Sequence, residues 1–290
     1  MSTTPRLFKY SSVDVGRAVL SHKTLRWSRP ALFNDPFDMQ IHLALDIDEN
    51  ALTERAIDKI SAAFADPGFS PGNHTGQLIA RLKAQGTNLN RDEVSSKFEG
   101  PIKQGLLTLR KNLPSFNEEF IGKMASSKIL CLSDIADSVT MWSHYASNHR
   151  GVVFEFGSPD GVDSPWRTAK KVNYVDNSPH FFDLEFLSDF MAGYKSLDVF
   201  AIMDLYVYTK GRQWDYEREW RIHAGDGRNH QADYEDIGFH KKELVGVIFG
   251  CRADQAIVSE LSSLALKINP DLSIHQARKT GLTLEFERLR

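Results

Sequence analysis

The chain is predicted to fold as one α+β domain over residues 1–290, with a mixed or antiparallel sheet and a helical insertion at about residues 48–124. Strand-like patterns lie in groups on both sides of a long helical stretch instead of alternating with helices one by one. The chain has 290 residues, of which 41% are hydrophobic, so it can bury a substantial core. It contains no internal repeat and no low-complexity tract, which argues against a solenoid.

The first elements are a strand, a helix and a second strand. The run "LFKY" at Leu7–Tyr10 predicts the first strand, residues 14–21 a helix, and "TLRWS" at Thr24–Ser28 the second strand. Ser11 and Ser12 are suitable caps for the helix between them. The following "RPALFNDPFD" is predicted to be irregular, because proline restricts the residue before it.

The spacing of apolar residues predicts the helices and strands of the insertion and of the second half of the chain. "DENALTERAIDKISAAFA" and "TGQLIARLKAQ" have apolar residues near the 3.6 spacing of helices, and "ADPGFSPGNHTG" between them predicts a loop. Further strands are predicted at "KILCLSD", "GVVFEFG", "KKVNYV", "ELVGVIFG" and "LTLEFERL". Further helices are predicted at "DSVTMWSHYASN", at residues 181–208 and at "DQAIVSELSSLALKI".

Composition excludes several classes of protein. A net charge of −3 and a pI near 6.4 provide no global positive field for nucleic acid or anionic membrane. Cys131 and Cys251 lie far apart in apolar runs, so we expect reduced core residues and no disulfide scaffold. No apolar window is long enough to span a membrane and no secretory segment begins the chain, which predicts a cytoplasmic protein.

The stretch "WDYEREWRIH", residues 214–223, carries the most informative pattern. Side chains alternate between the two faces of a strand, so a strand here places Asp215, Glu217, Glu219, Arg221 and His223 on one face. That face is either a solvated sheet surface or the wall of a cleft. In a cleft, repulsion between the two glutamates raises the pKa of one carboxyl, and the neighbouring arginine offsets the cost.

A second candidate segment is "MWSHYASNHRG". As a helix it places Met141, Trp142 and Tyr145 on one stripe, and core packing is the expected role of the first two. His144 and His149 are five residues apart, a spacing that does not suit a metal pair on one helical face. No metal ligand set is therefore predicted.

Two shorter segments supply further polar groups, and common catalytic motifs are missing. Lys9 and Tyr10 end the first strand, while Asn34 and Asp35 precede a proline and suit an Asx turn. The chain contains no Walker phosphate loop, no dinucleotide-binding glycine motif, no H-E-x-x-H and no G-x-S-x-G. Serine-hydrolase chemistry and glycine-rich phosphate binding are unsupported.

The order of these motifs resembles a bacterial family catalogued as domain of unknown function 2971. The motifs, in chain order, are "FKYSS", "LRWSRPALFNDPFD", "CLSD", "MWSHYASNHRGVVFEF", "VNY" and "KGRQWDYEREWRI". The resemblance runs from Phe8 to about Gly250, and residues 48–124 carry little of it.

A weaker resemblance is to ADP-ribosyltransferase-like folds. Such enzymes carry a basic or aromatic residue on the first strand, a Ser/Tyr segment in the middle and Glu-x-Glu on a late strand. In this chain Lys9 with Tyr10 stands at the first place. Ser133 or Ser143 with Tyr145 stands at the second, and "ERE" at the third. Lys9 replaces the usual Arg or His.

This resemblance implies cleavage of the nicotinamide–ribose bond of NAD and transfer of ADP-ribose to an unknown protein or nucleic-acid acceptor, in a bacterial defence or toxin system such as phage defence. Glu219 is expected to serve the ribose, Glu217 the acceptor, and Tyr10 or Tyr145 to stack on nicotinamide. Lys9, Asn34 or Arg150 is expected to hold pyrophosphate or adenosine ribose. The full expected site is, as catalytic residues, Glu217, Glu219 and Tyr145, and as NAD-binding residues, Lys9, Tyr10, Asn34, Asp35, Ser133, Trp142, His144, Arg150 and Arg221.

Two alternatives stay open at the level of sequence. The first is a metal-dependent nuclease in which Glu217, Glu219 and Asp35 provide oxygen ligands to a divalent ion. The second is a non-catalytic module that binds a nucleotide or a protein, with the acidic residues forming only a polar surface.

Overall fold

The computed structural model describes residues 6–40 and 42–290 and divides the chain into two compact units. The first unit contains the chain up to Met39, Lys123–Asn177 and Val207–Arg290. The second contains Gln40–Gly122 and Ser178–Tyr206, so it combines the predicted insertion with a later segment. The assignment of residues 1–290 to one domain stays a prediction.

The strands and helices follow the predicted order closely. The strands are β1 (Leu7–Ser11), β2 (Thr24–Ser28), β3 (Ile129–Ser133), β4 (Val152–Phe156), β5 (Lys170–Lys171), β6 (Asn173–Val175), β7 (Thr209–Gly211), β8 (Glu219–His223), β9 (Tyr234–Gly238), β10 (Leu244–Phe249), β11 (Ser273–Thr280) and β12 (Thr283–Arg288). The α-helices are α1 (Val13–His22), α2 (Glu49–Ala65), α3 (His74–Ala84), α4 (Arg91–Ala125), α5 (Val139–Tyr145), α6 (Leu184–Met191), α7 (Val199–Val207) and α8 (Gln255–Ile268).

The first unit is built on a sheet that contains ten strands of the described chain. Along the sheet the order is β12-β11-β10-β4-β1-β3-β2-β9, with β8 paired to β3 and β5 paired to β8. All neighbours are antiparallel except β10 and β11, which α8 connects as a parallel pair. The strands β6 and β7 form a separate parallel pair. The predicted α+β class with a mostly antiparallel sheet is confirmed.

The sheet opens on one flank of β3. On that flank β1 meets β3 at the pair Phe8–Ser133, and β2 meets it at the pair Ser28–Ile129. On the other flank β8 pairs with β3 along its full length. Since β1 and β2 contact opposite ends of β3, a gap lies between them, about 13 Å long at 3.3 Å per residue.

Helices α1 and α8 cover the core of the first unit. Apolar residues from the sheet, such as Phe154 and Phe249, are fully buried against residues such as Leu20 and Leu261. Helix α1 begins at Ser12, whose hydroxyl accepts a hydrogen bond from Val15 N, as the sequence predicts.

The second unit is helical, as predicted for residues 48–124. Its core contains Ile60, Phe64, Ile79 and Phe98 from α2, α3 and α4. The predicted helical run at residues 181–208 consists of two helices, α6 and α7, instead of one. Within the described residues, every helix is too short or too polar to cross a membrane.

Three predictions of secondary structure need correction. Residues 214–223 are not one strand: a 3₁₀ helix covers Arg212–Glu217, Arg218 is left-handed at φ 45°, and β8 begins at Glu219. The "KKVNYV" segment divides between β5 and β6, which belong to different sheets. Strands β7, β9 and β11 were not predicted, because their sequences are short or rich in polar residues.

Candidate functional site

A cavity of about 270 Å³ occupies the gap beside β3. We call it the β3 cleft. It is lined by Phe8, Lys9, Tyr10, Arg26, Ser28, Leu32, Phe33, Asn34, Asp38, Ile129, Cys131, Leu132, Ser133, Met141, Tyr145, Lys210, Glu217 and Glu219. All of these residues belong to the first unit. Its size is near the lower end of the range for small-molecule sites, about 300–1,000 Å³.

Glu217 and Glu219 reach the cleft from different local structures. Glu219 is the first residue of β8, whereas Glu217 ends the 3₁₀ helix, and the left-handed Arg218 between them redirects the chain. Ser133 supports this arrangement by donating a hydrogen bond of 2.6 Å from its hydroxyl to Glu217 O. Both glutamates are only 4% exposed, so these two members of the predicted ionisable face form part of a buried cleft wall, whereas Asp215 of the same set is exposed.

Lys210 joins the two glutamates. Its Nζ lies 2.6 Å from Glu217 Oε2, 3.2 Å from Glu219 Oε2 and 3.6 Å from Asp38 Oδ2. The ammonium also lies 4.8 Å from the centre of the Trp214 ring. A buried ammonium between carboxylates offsets their mutual repulsion, which allows both acids to occupy one cavity.

Arg221 forms the second half of this ionic cluster from behind the cleft. Its side chain is fully buried and donates to Glu219 through Nε and Nη2, at 2.9 Å each. It also donates to both oxygens of Asp38 and, at 2.7 Å, to Val207 O. All of these donors face protein atoms and Arg221 does not line the cleft, so its expected role in NAD binding stays a prediction.

The cluster holds three carboxylates and two cations, an excess of one negative charge. Although burial raises the pKa of Glu219, the charges of Arg221 and Lys210 outweigh this effect and lower it to about 2. Burial raises the pKa of Glu217 above its ordinary value, and Lys210 opposes that rise only in part. Paired acids with pKa values pushed apart are suited to separate roles, one as a fixed charge and one as a proton acceptor.

Tyr145 and Asn34 extend the cluster across the mouth of the cleft. The Tyr145 hydroxyl donates to Glu217 Oε1 at 2.5 Å and accepts from Asn34 Nδ2 at 2.7 Å. Burial raises the pKa of Tyr145, and its hydrogen bond to Glu217 adds to the rise. The phenol therefore stays protonated at neutral pH and orients the carboxylate.

The β1 side of the cleft provides Lys9 and Tyr10. Lys9 Nζ donates to Cys131 O at 2.9 Å and so bridges β1 and β3. Tyr10 donates to Ile135 O at 3.1 Å and contacts Trp142 edge to face. Arg26 of β2 also lines the cleft, and its Nε forms an exposed ion pair with Asp236 Oδ1 at 3.2 Å.

The structure brings seven predicted site residues into the cleft and leaves five outside its lining. Inside are Lys9, Tyr10, Asn34, Ser133, Tyr145, Glu217 and Glu219. Outside are Asp35, Trp142, His144, Arg150 and Arg221. Whether any of these residues binds a ligand or takes part in catalysis stays a prediction.

The five predicted residues outside the cleft lining either contact other parts of the protein or are exposed to solvent. Asp35 accepts a hydrogen bond from Phe37 N at 2.9 Å, the predicted Asx turn. Trp142 is fully buried and donates to Ala136 O at 2.7 Å. His144 lies 3.2 Å from the Tyr216 hydroxyl, and Arg150 is exposed in the loop after α5.

Eleven of the eighteen cleft residues were not predicted as site residues, and three of them belong to or contact the ionic cluster. Lys210 stands in "YTKGR", which resembles an ordinary exposed segment after a helix, and nothing in the pattern indicates its burial. Asp38 closes the proline-bracketed "FNDPFD", so its position in that motif was the available signal. Cys131 is unpaired but lines the cleft instead of the core, and its thiol hydrogen-bonds Glu219.

The metal-site alternative does not match the placement of its three acids. Asp35 lies outside the cleft lining, while Glu217 and Glu219 already bind Lys210. Across residues 6–40 and 42–290, no three His, Cys, Asp or Glu side chains are grouped so as to hold a metal ion.

Residues 141–222 match the model of the family described as Protein of unknown function (DUF2971). This match confirms the predicted family resemblance over residues 141–222, whereas the motifs before Met141 lie outside the matched segment. The matched segment includes Tyr145, Lys210, Glu217 and Glu219, whereas Lys9, Asn34 and Asp38 precede it. No curated protein and no solved structure matches the chain.

Proposed function

We propose that the β3 cleft binds NAD or a related nucleotide and cleaves its nicotinamide–ribose bond, transferring the ribosyl group to a nucleophile. The observation that carries the proposal is the buried pair Glu217 and Glu219, whose pKa values move in opposite directions inside one cavity. An ADP-ribosyltransferase-like core is part of the same proposal. It is supported by the open flank of β3 with Lys9 and Tyr10 on one side and the acids on the other.

The chemistry follows from charge. When the bond between C1′ and the nicotinamide nitrogen breaks, its electron pair leaves with nicotinamide, and the ribose develops oxocarbenium character. Glu219 stays ionised and contributes a fixed negative charge that stabilises this cation. The excess negative charge of the cluster also favours the positively charged nicotinamide ring of the substrate.

Glu217 is the better placed proton acceptor. Its raised pKa and its hydrogen bond to the Tyr145 hydroxyl suit a base that takes the proton of an attacking hydroxyl as the new bond to C1′ forms. The charge of Lys210 opposes the rise in the pKa of Glu217. The cleft accommodates one nucleoside-sized part, and Lys9 and Arg26 in its walls are the candidates to contact the diphosphate.

One observation favours a second candidate, a non-catalytic nucleotide-binding module. Both oxygens of Glu219 already accept hydrogen bonds from Arg221, and one also contacts Lys210. A carboxylate satisfied in this way also suits a purely structural role, in which it shapes the cavity without taking part in chemistry. The two candidates differ in turnover and not in binding.

The test is release of free nicotinamide from labelled NAD, followed by chromatography. Wild-type protein is expected to release nicotinamide, and Glu219→Gln is expected to release none. Glu217→Gln is expected to lower the rate by roughly 10²–10⁴-fold, the usual contribution of a general base. Because Gln is isosteric with Glu, both variants can retain the fold, which circular dichroism checks.

A matched control is Glu285→Gln, an exposed glutamate on β12 outside the cleft. It is expected to keep wild-type turnover. Thermal stabilisation by NAD without any nicotinamide release, equal in wild type and Glu217→Gln, contradicts catalysis and leaves the binding module. Absence of both stabilisation and release removes NAD as the ligand.

A further inference from the structure

A second cavity, of about 320 Å³, lies apart from the β3 cleft and shares no lining residue with it. We call it the hairpin cavity, because the tip of the β11–β12 hairpin forms one wall. It is lined by Val139, His149, Cys251, Arg252, Lys279, Gly281, Leu282, Thr283 and Leu284. Its walls combine two cations and a histidine with apolar side chains, and they contain no acidic residue.

The two cations lack partners within the described part of the chain. The side chains of Arg252 and Lys279 are exposed and form no hydrogen bond or ion pair there. Their neighbour Arg278, by contrast, pairs with Glu287 across the hairpin. Two unpaired cations at one cavity repel each other, and a bound anion removes that repulsion.

The third polar group is the ring of His149. Its Nδ1 is buried and has no hydrogen-bond partner, whereas Nε2 lies 3.1 Å from Ser143 Oγ. The Ser143 hydroxyl donates to Val139 O, so it accepts from His149 Nε2–H. Nδ1 is thus the ring nitrogen without a hydrogen-bond partner. Burial lowers the pKa of His149, and the charges of Arg252 and Lys279 lower it further.

The backbone holds His149 firmly in this place. Ser147, Asn148 and His149 are all left-handed, with φ of 48°, 52° and 67°, and His149 N donates to Trp142 O at 3.2 Å. The loop also packs against the chain after β10, since a Cβ at Gly250 would lie 2.1 Å from His149 O. Arg252 N then donates to His149 O at 2.9 Å, which fixes the arginine beside the ring.

We propose that the hairpin cavity is a binding site for a small organic phosphate. Arg252 and Lys279 bind the phosphate oxygens, and the ring of His149 forms part of the cavity wall beside them. The apolar body of the ligand lies against Leu282 and Leu284. Leu282 is 97% exposed, so covering it also removes apolar surface from water.

Phenyl phosphate is a suitable probe, because it combines a phosphate with an apolar ring. By isothermal titration calorimetry we expect saturable binding to the full chain. Arg252→Gln and Lys279→Gln are each expected to weaken it by at least about tenfold, since each removes a charge-assisted hydrogen bond. Inorganic phosphate is expected to bind more weakly than phenyl phosphate, and phenol not measurably.

Arg278→Gln is the matched control, because it removes the same charge one residue away on β11 but outside the cavity lining. It is expected to change the affinity less than twofold, as is Lys9→Gln in the other cavity. The proposal is overturned by absence of binding, or by binding that Arg252→Gln and Lys279→Gln leave intact. Equal affinity for inorganic phosphate overturns the organic part of it.

Discussion

The side chain of Lys210 decides the charge state of the β3 cleft. With its ammonium 2.6 Å from Glu217 and 3.2 Å from Glu219, it is the cation that both glutamates share. Burial lowers the pKa of Lys210, but the surrounding carboxylates outweigh this effect and raise it above the ordinary value. The lysine therefore stays charged at neutral pH.

Replacing Lys210 tests this role. Lys210→Met leaves the carboxylates of Asp38, Glu217 and Glu219 with Arg221 alone, and breaking a buried ion pair in this way costs about 3–5 kcal/mol. We expect that loss in the free energy of unfolding at pH 7, measured with urea. Lys241→Met, at an exposed lysine, is expected to change it by less than about 0.5 kcal/mol. Equal losses in the two variants would contradict the shared-cation role.

At the scale of elements, the break at Arg218 brings the two acids together. The 3₁₀ helix of Arg212–Glu217 ends at this left-handed residue, and β8 begins one residue later. A left-handed conformation costs a residue with a Cβ about 1–2 kcal/mol, whereas glycine adopts it without that cost. Arg218 nevertheless adopts the left-handed conformation, and its side chain forms an ion pair of 2.6 Å with Asp134.

Glycine and alanine at this position separate backbone strain from the ion pair. Both Arg218→Gly and Arg218→Ala remove the pair with Asp134, but only alanine keeps the steric cost. We expect the glycine variant to be more stable than the alanine variant by about 1 kcal/mol in urea unfolding. If the alanine variant is at least as stable as the glycine variant, the result contradicts a left-handed backbone conformation at this position.

The same elements explain which parts of the sequence pattern were informative. Strands β1, β3 and β4 were predicted because they are apolar runs, and they form the centre of the sheet. The alternation in residues 214–223 correctly grouped Glu217 with Glu219 but assigned one strand to both. Alternation cannot reveal a left-handed residue, because Arg218 has no local signature.

Contacts between segments far apart in the chain could not be predicted from the sequence, for a similar reason. Lys210 meets Asp38, which is 172 positions away in the printed sequence, and Tyr145 meets Asn34, which is more than a hundred positions away. Such pairs depend on which strands become neighbours. Polar strands such as β9 and β11 were missed because their pairing partners, not their own residues, make them extended.

At the scale of the whole molecule, buried carboxylates make stability depend on pH. The pKa of Glu219 is about 2 in the folded chain against an ordinary value near 4.5. A lowered pKa stabilises the fold above the ordinary value, by about 3 kcal/mol at neutral pH, and the gain is lost as pH falls toward 2. Glu217, with a raised pKa, acts in the opposite direction.

Unfolding of Glu219→Gln at several pH values tests this dependence. The wild type is expected to exceed the variant in stability most at pH 7, and the difference is expected to shrink through pH 4 and pH 3. Urea denaturation followed by tryptophan fluorescence measures both proteins. A difference that is constant across this range contradicts an ionised Glu219 with a low pKa.

The most direct measurement of the proposed function is a crystal structure of Glu217→Gln grown with NAD. We expect intact NAD with its nicotinamide ribose inside the β3 cleft, C1′ facing Glu219, and its diphosphate toward Lys9 or Arg26. NAD bound elsewhere, or a ribose turned away from both acidic positions, would contradict the proposed chemistry.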